Sequence, residues 1–239
     1  MEMEEDNRWS LQWSFSPVDY LENQVLPDLS LGRLEVSNGS ITLAIFNRQS
    51  VFDEELRLRL HRELDDIFQA ISILTHRPYR LRQLKACKAS EDGQDEGFIF
   101  SEELTVAVSI SAGRFFTEEQ QEKERVFLMR AQRHNNDPLL RSLIESYGRA
   151  IKDQRNELIH LYEIRDAIDK HLGRKKLGPF TEKQWRRIGE LACDLPLKQG
   201  RHRGRGFEGL RDATQEELAE ARGIASKLID YYLQYLDSL

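Results

Sequence analysis

Arg155-Asn156-Glu157-Leu158-Ile159-His160 sets an arginine, a side-chain amide and an imidazole close together in the chain. These residue types could rearrange a phosphodiester. A histidine exchanges protons near neutral pH. An arginine steadies the crowded anionic oxygens that form when an RNA 2′-hydroxyl attacks its neighbouring phosphorus. Such cleavage needs no metal ion. On one continuous helix, however, the five-residue step from Arg155 to His160 turns about 140° and sets the two side chains apart. Convergence would need a helix start near Asn156, a local irregularity or a two-fold partner. Asp153, Asn156, His160 and Glu163 do share a stripe, and a polar face or buried network without catalysis is the plainer account of it.

Further along, Gly200-Arg201-His202-Arg203-Gly204-Arg205-Gly206 is a loop whose glycines let backbone approach an anion while Arg201, Arg203 and Arg205 grip phosphate oxygens. It lies in the most basic stretch of the chain. Residues 174–205 carry a net charge of +7, whereas residues 1–120 carry −10 and residues 121–239 carry +4. The expected ligand of this half is RNA held by its phosphates, with Arg201, His202, Arg203 and Arg205 as the contacts. No aromatic residue interleaves the arginines, so stacking of bases within this loop is not expected.

The segment from Arg155 to His160 resembles the Arg-x4-6-His motif of HEPN-type helical domains, in which Asn156 matches a polar residue that often follows the arginine. The resemblance covers the helical half only. It implies metal-independent RNA cleavage at a dimer interface, of a bacterial defence or toxin type, with His160 and Arg155 as catalytic residues and Asn156 beside them. The loose form of the motif recurs at Arg165 to His171, and about two matches arise by chance in a chain of this composition; the form with asparagine and a fixed gap arises by chance about 0.02 times. A second resemblance rests on Leu161-Tyr162-Glu163-Ile164-Arg165-Asp166 followed by Arg201-His202-Arg203-Gly204. These look like the Leu-Tyr-x-Ile-x-Glu and Arg-His-x-Gly landmarks of an uncharacterised bacterial helical family, with Asp166 in place of the usual glutamate. On that alignment Arg201 and His202 form the functional pair and His160 is incidental.

Other chemistries find no support. There is no Walker phosphate loop, dinucleotide glycine fingerprint, His-Glu-x-x-His or Gly-x-Ser-x-Gly. Cys87 and Cys193 are isolated, which offers neither a disulfide framework nor a thiolate metal site and fits a reducing compartment. His134 before Asn135, Asn136 and Asp137 reads as a helix stop and the next cap rather than a metal site. Metal and cofactor are expected to be absent. No apolar run reaches the roughly 18 residues of a membrane span, and the acidic opening residues lack the basic region of a secretory signal, so a cytoplasmic location without membrane attachment is expected.

The elements that must position these residues change character midway. Apolar residues alternate in Trp9, Leu11, Trp13 and Phe15, and again in Leu34, Val36, Ile41, Leu43 and Ile45 around Asn38-Gly39, which predicts strands and a tight hairpin. From Asp53 the period becomes helical through Leu74, with Asp53 as cap. Strands are expected at 79–86 and 98–110, joined by a polar turn. The rest reads as helix. Thr117, Asp137, Thr181 and Thr214 each supply a cap, Gly148 weakens the run 137–172, and Gly173 ends it. The expected fold class is α+β: a small, mainly antiparallel sheet unit with one covering helix (1–115), followed by an all-α helical bundle (116–239), with the junction near 112–117.

The function these readings support is a metal-independent endoribonuclease, or an RNase-derived RNA-binding protein, acting as a homodimer. The alternative is a non-enzymatic adaptor that uses its basic helical half to hold a protein or nucleic acid.

Overall fold

The fold is α+β, an antiparallel sheet with a helix over it and a bundle of helices. The structure is a computed structural model that describes residues 9–21, 26–45, 52–88, 96–99, 117–173, 179–201 and 209–239. Five strands, β1 (Trp9–Ser16), β2 (Gly32–Ser37), β3 (Ser40–Ile45), β4 (Arg80–Lys88) and β5 (Glu96–Ile99), lie in the order β2-β3-β1-β4-β5, every pair antiparallel. The β2–β3 hairpin turns where expected, with Asn38 at φ 46° and Gly39 at φ 75°, the positive values a type I′ turn demands. Period-two alternation sends Leu11, Trp13, Phe15, Ile41, Leu43 and Ile45 to one face, where all are buried.

Helix α1 (Glu54–Thr75) covers that face. The Asp53 carboxylate accepts from Leu56 N at 2.8 Å, as an N-cap should. Leu60, Leu64, Ile67 and Phe68 recur at three- and four-residue steps and are buried. Two polar contacts fix the register of helix on sheet. The Trp13 indole donates to His61 Nδ1 at 3.1 Å, and the Tyr20 hydroxyl donates to the Phe68 carbonyl at 2.9 Å. Strand β4 carries one irregularity: Trp13 faces Gln83 while Gln12 faces Lys85, so Leu84 is an extra, bulged residue.

The remaining helices are α2 (Glu118–Arg133), α3 (Pro138–Lys152), α4 (Glu157–Leu172), α5 (Glu182–Gly189) and α6 (Gln215–Asp237), with α5 running into a π-helical turn, Glu190–Asp194. Thr181 and Thr214 each accept from the third residue of their helix, while Gln184 and Glu217 reach back to the cap amide. Gly148 does not break the long run, for it sits within α3 with open space where a Cβ would stand. The break falls at 153–156 instead. There the Asp153 carboxylate accepts from Asn156 Nδ2 at 2.6 Å, a local side-chain bond that competes with helix continuation.

Two compact units emerge. One gathers the described residues up to Phe68 and from Tyr79 to Leu128; the other gathers Gln69–Pro78 and Met129–Leu239. All but the first two residues of the expected strand 98–110, and residues 112–116 of the expected junction, lie outside the described residues.

Within the helical unit, Glu157 is 1% exposed in the first turn of α4. Its carboxylate takes a two-pronged bond from Arg222 of α6, through Nε and through Nη2, the latter at 2.8 Å. A buried carboxylate is tolerated only with such a partner, because losing one member strands a charge in a poor dielectric at a cost of about 3 kcal/mol or more. Arg222→Met should therefore destabilise the protein by about that amount, and adding Glu157→Leu should recover most of the loss. Urea melts of the single and double variants check this, and equal midpoints for parent and single variant would contradict it.

Candidate functional site

The break at 153–156 settles where the motif residues stand. Asn156 is the residue before α4, and its carbonyl accepts from His160 N at 3.2 Å. Arg155 therefore precedes the helix and is exposed, so the 140° objection for a continuous helix no longer describes it. The His160 ring, 16% exposed, lies between two carboxylates, with Nε2 at 3.8 Å from Asp153 and Nδ1 at 3.4 Å from Glu163. The expected stripe of Asp153, Asn156, His160 and Glu163 is thus a connected polar network, and the contacts of the imbidazole are acidic rather than guanidinium. Asp153 is held below the ordinary carboxylate range, chiefly by the Asn156 amide, with the His160 ring adding a smaller share.

Within the next turn and a half of the same helix a different cluster forms. Tyr162 and Arg165, three residues apart, face each other: Arg165 Nη2 donates to the Tyr162 hydroxyl at 3.0 Å, and the guanidinium carbon lies 4.4 Å from the ring centroid. Arg165 Nη1 also reaches the Trp185 carbonyl at 3.5 Å. Gly189 makes room for it, since a Cβ there would stand 2.5 Å from Arg165 Nη1. Arg201 approaches the same ring from the basic loop, 6.0 Å from guanidinium carbon to centroid.

Backbone geometry delivers Arg201 there. In the π-helical turn, Leu195 N bonds back to Glu190 O at 2.9 Å, and the Ala192 carbonyl instead accepts from Arg201 N at 2.6 Å. Gly200 allows this approach, because a Cβ at that position would meet Ala192 O at 2.9 Å. An aromatic ring absent from the arginine-rich sequence run is thus supplied by α4, a change from the sequence expectation. His202, Arg203 and Arg205 lie outside the described residues.

Pairing sets this cluster apart. Arg130, Arg149, Arg186, Arg187, Arg211 and Arg222 each meet a carboxylate. Among the described residues Arg165 and Arg201 meet none. Two donors beside them, Arg165 Nε and Trp185 Nε1, are buried without a hydrogen-bond acceptor among the described residues. Lys170 stands near enough for Arg201 to oppose its charge, although its own ammonium is paired with Asp166 at 2.8 Å. Cys193 completes the group. Burial pushes its thiol up, while Arg201, Arg165 and a hydrogen bond from Tyr162 work in the opposite direction.

His134 bonds Asp237 at 2.8 Å, and no group of three or more metal-ligating side chains occurs among the described residues. Asp137 caps α3, accepting from Leu140 N at 2.7 Å. No described helix is long and apolar enough to cross a membrane. Comparison with protein-family models, with curated proteins and with solved structures found no match.

The thiol offers a direct check on this geometry. In a Cys87→Ser background, iodoacetamide at pH 8 should alkylate Cys193 more slowly than it alkylates glutathione. Arg201→Ala should slow it further, because the substitution removes a charge that favours the thiolate. An Arg201→Ala rate equal to the parent's would separate the guanidinium from the thiol.

Proposed function

We propose that this protein binds RNA without cleaving it, holding phosphodiester oxygens at Arg165 and Arg201 around Tyr162, in the manner of an RNase-derived helical module. The observation that carries the reading is the pair of arginines converging on one ring with no carboxylate, among the described residues, to neutralise either. An unneutralised guanidinium pair is costly to assemble unless an anion answers it. A phosphodiester is a fitting anion, for a guanidinium offers it two parallel donors and the neighbouring ring offers a surface for a base or sugar. In sequence Arg203 and Arg205 follow Arg201 within four residues.

His160 takes a structural role here. Its two neighbours, Asp153 and Glu163, are anions that repel an incoming phosphate, which is the opposite of what a transition-state site requires. The free thiols of Cys87 and Cys193 agree with a cytoplasmic location.

A labelled single-stranded RNA, titrated at several salt concentrations, tests the proposal. Arg165→Gln/Arg201→Gln should weaken binding at least tenfold, the scale of losing two charge-assisted bonds, and should flatten the log-log salt slope by about 1.4. Gly189→Ala, which displaces Arg165 without removing it, should weaken binding in the same direction. His160→Ala should leave affinity within about twofold and the RNA intact. Unchanged affinity in the double variant would overturn the reading. So would metal-independent cleavage by the parent that disappears in His160→Ala, which would restore the nuclease.

A further inference from the structure

The sheet unit has a second face, and its composition is unusual. Helix α1 covers the side that holds Leu11, Trp13 and Phe15, so strand alternation assigns Ser10, Gln12, Ser14 and Ser16 of β1 to the opposite side. Register extends the assignment to neighbouring strands. On β3 and β2, Ser10, Gln12 and Ser14 lead to Ala44, Thr42 and Ser40, and then to Arg33, Glu35 and Ser37. On β4, Ser16, Ser14 and Gln12 stand beside Arg80, Arg82 and Lys85.

The bulge at Leu84 builds this basic row. With strict alternation from Arg82, residue 84 would share its face and Lys85 would point toward α1. The extra residue shifts the phase, so that Lys85 joins Arg80 and Arg82 while Ala86 turns inward and is buried. The three cations are exposed on this side. Three acidic groups of the unit are engaged on the helix side, Glu54 with Arg57, Glu63 with Ser30, and Asp65 with the Tyr79 hydroxyl at 2.7 Å, whereas Glu35 shares the open side with the cations. On strands β1 to β4 this side carries four cations, Arg33, Arg80, Arg82 and Lys85, against the one carboxylate of Glu35.

The central strands form a low floor, since serine and threonine rise little above the backbone. Hydroxyls and one amide line it, with Gln12 Nε2 reaching Ser40 Oγ at 3.4 Å. Arginine, lysine, serine, threonine and glutamine are the side chains that contact phosphate and sugar in nucleic-acid complexes. Arg80 and Arg82 stand two residues apart, about 6.6 Å along a strand, close to the phosphate spacing of an extended single strand. Strands β1 to β3 place no large apolar anchor on this face of the kind a protein partner would bury.

We propose that this open face of the sheet binds the sugar–phosphate backbone of a single-stranded nucleic acid, independently of the arginine pair in the helical unit. Without an aromatic ring from β1 to β4 on this face the contact is to backbone alone, so it is indifferent to base sequence.

The test is a titration of the full chain with labelled oligo-uridine and oligo-deoxythymidine over a series of salt concentrations. Arg80→Ser/Arg82→Ser/Lys85→Ser should lower the log-log salt slope by about 2, three contacts at roughly 0.7 each for a single strand, equally for both oligomers. Arg80→Lys/Arg82→Lys keeps the charge and should hold the parental slope, which separates charge from any effect on folding. A parental slope in the triple-serine variant with an unchanged melting temperature would overturn the proposal. So would poly-glutamate binding that is lost in the triple variant while oligo-uridine binding persists, because the face would then belong to an acidic polypeptide. Arg165→Gln/Arg201→Gln lies in the other unit and is run in parallel, so loss in one variant set and not the other tells the two surfaces apart.

Discussion

A carboxylate that cannot reach water governs the helical unit. Glu157 is 1% exposed, and folding around it is favourable only because Arg222 arrives from α6 with two parallel donors. This pair ties the start of α4 to the early turns of α6, and apolar packing completes the joint through Leu158, Leu161, Ala221 and Ala225, all buried. Tyr147 is fully buried in the same unit, and burial holds its hydroxyl far above the usual tyrosine range, so it stays protonated and bonds His76. Such directional contacts choose one arrangement among the many that apolar surfaces alone would tolerate.

Once α4 is fixed at its first turn, the positions of Tyr162 and Arg165 follow from helical geometry. What remains free is the approach of the loop, and glycine and backbone geometry decide that. Gly189 leaves space for a guanidinium, Gly200 lets a chain come close to Ala192, and Pro196, which has no N–H to give, leaves the Ala192 carbonyl for Arg201 to use. The cluster thus depends on missing side chains as much as on those present. Its arginines meet no carboxylate among the described residues, unlike Arg130 and Arg211 of the same unit.

The local signals in the sequence proved the most legible. Hairpin, strand alternation and the caps at Asp53, Asp137, Thr181 and Thr214 rest on contacts within a few residues, so composition alone reveals them. The break before α4 was hidden because apolar spacing runs through it and Gly148 offered a more obvious weak point; the deciding bond, from Asn156 to Asp153, competes with a helix only when the side chains are turned correctly. Within the site, Tyr162 and Arg165 lie one turn apart, a spacing the sequence carries openly. The Glu157–Arg222 pair joins positions 65 residues apart, and Arg201 reaches Tyr162 only after the chain has passed through two helices and a loop. No periodicity encodes such meetings. The bulge at Leu84 was equally invisible, since one extra residue in a strand leaves its apolar pattern almost unaltered.

The π-helical turn Glu190–Asp194 bears on how this protein can change length. Such a turn is an α-helix with one residue inserted, and the insertion is reversible in principle by deletion. Removing a residue there would restore α-helical bonding at little cost to the helix itself. Everything after it, however, would be turned by about 100° and drawn in by about 1.5 Å. Arg201 would be carried away from the Ala192 carbonyl and from its place beside Tyr162. Most surface loops absorb insertions and deletions readily, but here the count of residues between Trp185 and Arg201 sets whether the two arginines meet at one ring. Relatives of this chain that keep Tyr162 and Arg165 would have to keep that count as well.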